Sequence, residues 1–66
     1  REMKMGILDY INQIRIEKAK ALLAETYMTI EDVYSKVGFT NKITFIRIFK
    51  KLEGMTPSQY RTLRRD

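Results

Sequence analysis

The chain has 66 residues, close to the lower limit for a domain that folds on its own core, and it contains no cysteine and no histidine. It therefore has no disulfide or thiolate metal site, and it lacks the side chain most often used as a general base near neutral pH. No run of about 18 apolar residues and no signal-peptide pattern are present. We expect a soluble cytoplasmic domain that needs no cofactor, binds no metal or membrane and is not an enzyme.

The formal net charge of +5 is concentrated in one part of the chain. Residues 1–40 carry six Lys and Arg against six Asp and Glu, whereas residues 41–66 carry seven basic residues against two acidic ones. Such segregation is typical of a protein that binds a polyanion, but a solvated basic tail gives the same count. The choice between the two depends on the elements that carry these residues.

A long amphipathic helix is predicted from Ile7 to Ala24. Its apolar residues recur at steps of three and four, with Ile16 beside the stripe. At 1.5 Å per residue this helix is roughly 27 Å long. The stripe that we expect to face the core consists of Ile7, Ile11, Ile14, Ala19, Leu22 and Leu23.

A second, shorter helix is predicted to begin after Thr29. Its hydroxyl group and Asp32 resemble a capping box, in which a side chain accepts a free backbone N–H at the start of a helix. The helix ends at Gly38, because glycine tolerates the left-handed conformation found at helix C-termini. Its expected buried residues are Ile30, Val33 and Val37.

A third helix is predicted from Lys42 to about Leu52, before Gly54. Either Thr40 or Asn41 can serve as its N-cap. Its expected inward residues are Phe45, Ile48 (or its neighbour Phe49) and Leu52.

A fourth helix is predicted to start at Thr56-Pro57, a capping hydroxyl followed by proline at the first helical position. Tyr60 and Leu63 give it an apolar edge. Its basic residues are Arg61, Arg64 and Arg65.

The second and third helices, joined by a short turn that contains Gly38, form a predicted helix-turn-helix. The second helix of such a pair is the one that enters the major groove of DNA. There Arg47 can donate two parallel hydrogen bonds to a guanine, whereas Lys50 and Thr44 are better placed for phosphates. The outward residues of this helix, at steps of three and four, are Lys42, Ile43, Ile46, Arg47 and Lys50.

Two groups of apolar residues admit a second interpretation. Ile43 and Ile46 can contact thymine methyl groups, or they can pack inward if the helix is rotated. The aromatic residues can stack on bases of a single strand, but their spacing favours a small helical core. These aromatic residues are Phe39, Phe45, Phe49 and Tyr60.

The order and spacing of these residues resemble the DNA-binding domain of AraC/XylS-type bacterial transcription regulators, over nearly the whole chain. The part that resembles the family's linker helix comprises Tyr10-Ile11, Arg15-Ile16, Ala19 and Leu22-Leu23. The part that resembles the first helix and turn of its C-terminal helix-turn-helix comprises Thr29 to Val33 and Val37 to Phe39. The most recognisable part comprises Phe45, Arg47, Phe49 to Lys51, Gly54, Thr56-Pro57 and Tyr60-Arg61.

The resemblance implies an all-α fold, in which a long linker helix precedes a three-helix, homeodomain-like helix-turn-helix unit. Residues 1–28 would be the linker helix with the remnant Arg1 to Met5 of a preceding segment, and residues 29–66 the C-terminal unit. The family joins two such units by the linker helix, so the chain would be a fragment of a larger DNA-binding domain. An N-terminal sensory or receiver domain is expected in the full-length protein.

Sequence-specific binding of double-stranded DNA is therefore the predicted function, with helix 42–52 in the major groove. The base contacts implied by position come from Lys42, Ile43, Ile46 and Arg47. The implied phosphate contacts come from Thr44, Lys50, Thr56 and Ser58, with the free amides after Pro57. The alternative is a helical interaction module that contacts RNA polymerase or a partner subunit, which the apolar stripe of the neutral first helix favours.

One residue departs from the family pattern. Tyr34 stands where the family usually has a small residue, at a point where the two helices of the unit pack closely. We expect its side chain either to turn to solvent or to widen the helix crossing.

Overall fold

The computed structural model describes residues 6–64, which form four α-helices and no strand. Their bounds are Ile7–Glu25 (α1), Ile30–Val37 (α2), Lys42–Glu53 (α3) and Pro57–Arg64 (α4). The predicted all-α fold and the order of its helices are confirmed. The segment from Arg1 to Met5 and Arg65 lie outside the described residues. No helix within residues 6–64 is long and apolar enough to cross a bilayer.

Side-chain caps fix the starts of the three short helices. The Thr29 hydroxyl accepts the backbone N–H of Asp32 at 3.0 Å, as predicted. At the start of α3 it is Asn41, not Thr40, whose side-chain oxygen accepts the N–H of Thr44, also at 3.0 Å. Both pairs satisfy N–H groups that have no partner inside the helix.

The start of α4 is closed by a reciprocal pair. The Gln59 side chain accepts the backbone N–H of Thr56 at 2.9 Å, and the Thr56 hydroxyl accepts the N–H of Gln59 at 3.1 Å. This is a complete capping box, which fixes the point where the chain enters the last helix.

Two glycines end α2 and α3, as predicted. Gly38 has a φ of 110° and Gly54 a φ of 80°, a region that other residues rarely adopt. The turn after α2 is tightened further because the N–H of Phe39 donates to the carbonyl oxygen of Tyr34 at 2.8 Å.

The core is a row of aromatic rings covered by aliphatic residues of α1 and α2. Neighbouring ring centroids lie 5.3 Å apart for Phe39 and Phe45, 5.8 Å for Phe45 and Phe49, and 5.6 Å for Phe49 and Tyr60. The aromatic residues are therefore core and not base-stacking surfaces. The buried apolar cluster consists of Ile16, Ala19, Leu23, Val33, Phe39, Phe45, Phe49 and Tyr60.

The departure at Tyr34 is accommodated inside the fold. Its ring lies 5.6 Å from that of Phe45 at an interplanar angle of 38°, and the side chain is partly buried against the core. It does not turn fully to solvent, because the Phe45 ring provides an apolar surface for it.

The predicted apolar stripe of α1 is wrong in its N-terminal half. Ile7 is 75% exposed and Ile14 40% exposed, whereas Ile16, placed beside the stripe, is 1% exposed. The buried residues of α1 all lie between Ile16 and Leu23, where the other helices pack. The first turns of α1 lie outside that contact, so their apolar side chains stay exposed.

Leu52 was also predicted to face inward, and this is wrong. It is 43% exposed. The buried side of α3 continues from Phe45 and Phe49 at four-residue steps to Glu53, which is partly buried. Since Glu53 occupies the inward position of the last turn, Leu52 lies to one side of it.

The Glu53 carboxylate is paired with α1. It lies 3.2 Å from Nζ of Lys20, whose second carboxylate partner, Glu17, lies at 3.3 Å. Burial lowers the pKa of Lys20, but its hydrogen bonds to Glu53 and Glu17 outweigh this and raise the pKa above its ordinary value. The charged pair ties the end of α3 to the middle of α1.

Candidate nucleic-acid interface

The side of α3 opposite the aromatic core is exposed and basic. Lys42, Arg47 and Lys50 are exposed, and Ile43 between them is 74% exposed. Ile43, Arg47 and Lys50 point away from Phe45 and Phe49, which are 0% exposed, whereas Lys42 is exposed because it is the first residue of α3. We call Lys42, Ile43, Arg47 and Lys50 the α3 face.

Ile46 differs from Ile43. It is partly buried and packs against the core cluster. The expectation that both isoleucines stand on the outward side is therefore met by Ile43 and only in part by Ile46. The reason is helical periodicity, because Ile46 follows directly after the buried Phe45 and so lies at the edge of the packed side.

The cations of the α3 face have no partner among the described residues. Within residues 6–64, Lys42, Arg47 and Lys50 form no salt bridge or side-chain hydrogen bond, and the salt bridge that reaches α3 joins Glu53 to Lys20. Thr44, on the first turn of α3, is partly buried. The face therefore combines unpaired positive charge with one exposed branched apolar side chain.

The other predicted phosphate ligands lie on a different helix. Ser58 is exposed on the first turn of α4, and Thr56 is partly buried just before it. The Thr56 oxygen already accepts the N–H of Gln59, so only its O–H remains available to donate to a phosphate. These two residues thus lie apart from the α3 face in the chain, at a separate helix start.

Arg61, one of the basic residues of the last helix, forms hydrogen bonds within the fold. Its Nε donates to the carbonyl oxygen of Leu23 at 3.1 Å, and its Nη2 donates to that of Thr26 at 3.3 Å. Its charge therefore serves the contact between α4 and α1. No local sequence pattern predicts this pairing, since the partners are 38 and 35 positions away.

Arg15 is a residue to which the sequence assigned no contact. Its guanidinium carbon lies 5.6 Å from the centre of the Phe39 ring. It borders a cavity of about 210 Å³ between α1, the turn after α2 and the start of α3. The described residues that line this cavity are Asn12, Arg15, Gly38, Phe39, Thr40, Asn41, Thr44 and Ile48.

The sequence and the fold both match known transcription regulators. A family model described as a helix-turn-helix domain matches residues 1–63. The HTH-type transcriptional regulator YtdP of Bacillus subtilis (strain 168) is 43% identical over 65 residues, which are 98% of this chain and 8% of that protein. The arabinose operon regulatory protein of Escherichia coli (strain K12) is 38% identical over 61 residues, which are 92% of this chain and 21% of that protein.

A solved structure has the same fold. The crystal structure of the C-terminal domain of the two-component response regulator yesN from Fusobacterium nucleatum matches with a TM-score of 0.82 and 42% sequence identity. The match covers 86% of this chain and 55% of that chain. The chain thus spans a small part of the curated regulators and about half of this solved domain. It belongs to the AraC-type family of helix-turn-helix DNA-binding domains found in transcription regulators.

Proposed function

We propose that this chain binds double-stranded DNA sequence-specifically by inserting α3 into the major groove. The observation that carries the proposal is the α3 face, where Arg47 and Lys50 are exposed beside Ile43 and have no ion-pair partner within residues 6–64. An α-helix fits the width of the major groove, and the bases present their hydrogen-bonding edges there.

Within this proposal the residues have separate roles. Arg47 donates two parallel hydrogen bonds to a guanine, and Ile43 contacts a thymine methyl group. Lys42 reaches a base edge near the start of α3. Ile46 contributes only through the part of its side chain that remains exposed. The phosphate contacts, which position the helix without reading sequence, come from Thr44, Lys50, Thr56 and Ser58.

The larger protein is proposed from the relatives. The chain spans 21% of the arabinose operon regulatory protein of Escherichia coli, and its structural neighbour is the C-terminal domain of a response regulator. We therefore propose that the chain works as the DNA-binding part of a bacterial transcription regulator in the cytoplasm. A sensory or receiver domain would supply the signal.

A second function is favoured by the exposed start of α1. Ile7, Leu8 and Tyr10 are 75%, 70% and 57% exposed, and they lie on a segment with no basic cluster. Such an apolar surface suits a protein partner, either RNA polymerase or another subunit, better than DNA. This interaction would add to DNA binding, because it uses a different face.

The experiment that tests the proposed function is selection of bound duplexes from a random DNA library, followed by affinity measurements over a range of salt concentrations. We expect one enriched motif, and an affinity whose logarithm falls by about 0.9 per neutralised phosphate for each tenfold rise in salt. Recovery of random sequences would refute sequence-specific binding. DNA binding that hardly responds to salt would contradict the proposed phosphate contacts.

A further inference from the structure

The cavity beside Arg15 has the chemistry of an anion site. Arg15 presents five N–H donors, and within residues 6–64 its guanidinium lies over the Phe39 ring and forms no hydrogen bond or ion pair. Thr40 and Thr44, which carry hydroxyl groups, also line the cavity, and none of the described residues that line it is acidic. A positive charge among hydrogen-bond donors, with no carboxylate beside it, attracts an anion.

The Arg15 side chain is also held in place before any ligand arrives. Its guanidinium lies over Phe39, and a Cβ atom at Gly38 would lie only 3.0 Å from its Nε. Glycine at this position therefore leaves the room that the guanidinium occupies against the turn. A side chain that is already fixed loses less conformational entropy on binding, and the planar guanidinium matches two oxygens of one phosphate.

The position of the cavity indicates which anion it meets. Asn41 and Thr44, which line it, are the N-cap and the first turn of α3. In the proposed complex the start of α3 enters the groove between two sugar-phosphate strands. A cavity at this end of α3 would then lie near the sugar-phosphate strand that borders the groove.

We propose that Arg15, on α1, binds a backbone phosphate of the DNA at this cavity. The proposal rests on the proposed function, since it needs α3 to lie in a groove. It gives α1 a direct part in DNA binding, in addition to packing against α2, α3 and α4. A phosphate contact fixes position and adds affinity to every sequence alike.

The test compares Arg15→Gln and Arg15→Lys with the unchanged chain on a mixed-sequence duplex, measuring affinity from low to high salt. Lys18→Gln is the matched control, because Lys18 is an exposed cation of α1 that does not line the cavity. We expect Arg15→Gln to reduce the slope of log affinity against log salt by about 0.9, the loss of one phosphate. Arg15→Lys should keep the slope, and so should Lys18→Gln.

A purely structural role of Arg15 predicts a different pattern. Arg15→Gln would then lower the unfolding midpoint and leave the salt slope unchanged, which would overturn the proposal. A titration of the ¹⁵N-labelled chain with inorganic phosphate separates a free anion from a DNA phosphate. If inorganic phosphate shifts the Arg15 Nε–H signal while Arg15→Gln keeps the slope on DNA, the cavity takes a free anion and the proposal is wrong.

The inference and the proposed function fail in distinguishable ways. If the unchanged chain binds duplex DNA with a steep salt slope and Arg15→Gln retains that slope, only the assignment of Arg15 is refuted. If the unchanged chain shows no salt-dependent binding to duplex DNA, both are refuted together.

Discussion

Arg61, on the last helix, donates through Nε to the carbonyl oxygen of Leu23 at the end of the first helix, across 3.1 Å. A second hydrogen bond, from Nη2 to the carbonyl oxygen of Thr26, measures 3.3 Å. The last carbonyls of a helix have no partner inside it, and they form the negative end of its dipole. One guanidinium therefore satisfies the end of α1 and fixes α4 against it.

Arg61→Ala is expected to lower the free energy of unfolding by about 1.5–3 kcal/mol, the range for hydrogen bonds to charged groups. Urea unfolding followed by circular dichroism measures the change. The control is Arg64→Ala, since Arg64 is exposed and lies 5.2 Å from the centre of the Tyr60 ring. Arg64→Ala should lower the free energy of unfolding by only about 0.5–1 kcal/mol. Equal losses for the two variants would show that the contact with α1 adds nothing.

The two helix-ending glycines should respond differently to alanine. Forcing a side chain into the left-handed region costs roughly 1–2 kcal/mol. Gly54→Ala should show this cost alone, because nothing lies within 4 Å of an added Cβ. Gly38→Ala should cost more, since its φ of 110° is further from the allowed region and the new Cβ would lie 3.0 Å from Nε of Arg15.

Urea midpoints of the two glycine variants, measured under the same conditions, make the comparison. A Gly54→Ala variant that is as unstable as Gly38→Ala would mean that neither the larger φ of Gly38 nor its contact with Arg15 adds to the cost. A neutral Gly38→Ala would mean that the turn relaxes to another conformation.

Phe45 lies on the packed side of α3, and Leu52 lies at the edge of that side. Phe45 is 0% exposed and lies among the rings of Tyr34, Phe39 and Phe49, whereas Leu52 is 43% exposed. Phe45→Ala should lower the free energy of unfolding by about 3–5 kcal/mol, enough to unfold much of a small domain. Leu52→Ala should lower it by less than about 1 kcal/mol. Thermal unfolding by circular dichroism checks both, and a large loss at Leu52 would contradict its position at the edge.

The helix bounds could be predicted from sequence because caps are local. Thr29 predicts a helix start because its hydroxyl can accept a backbone N–H. Gly38 and Gly54 predict helix C-termini because glycine adopts the left-handed conformation, and the structure confirms all three. The basic outward positions of α3 also follow from periodicity. Local sequence patterns were sufficient to predict those features that depend on residues within one helical turn.

The errors share a cause, which is contact between distant parts of the chain. Periodicity could not tell whether Ile14 or Ile16 faces the core, since that depends on where the other helices cross α1. Leu52 was misplaced because Glu53, which pairs with Lys20 on α1 at 3.2 Å, occupies the inward position of the last turn of α3. The contact of Arg61 with Leu23 and the cavity beside Arg15 likewise arise only from packing.

Ile43 provides a test of apolar base contacts that leaves the fold intact. Since Ile43 is 74% exposed, Ile43→Ser should scarcely change stability. It should weaken binding to the selected DNA motif by about 1–2 kcal/mol, the value of two or three buried methylene groups, and leave the salt slope unchanged. Ile46→Ser is the contrasting variant, because its side chain packs against the core and its loss should also lower the unfolding midpoint. Unaltered motif preference in Ile43→Ser would contradict the assignment.

The role of α3 is tested most directly by the affinity of Arg47→Ala and Lys50→Ala for the selected motif, for its single-base variants and for a scrambled duplex. Arg47→Ala should lose about 1–3 kcal/mol on the motif and become indifferent to one base pair. Lys50→Ala should weaken binding to all duplexes alike and reduce the salt slope by about 1. If Arg47→Ala weakened every duplex equally and kept its preference at each base pair, α3 would not read sequence through this residue.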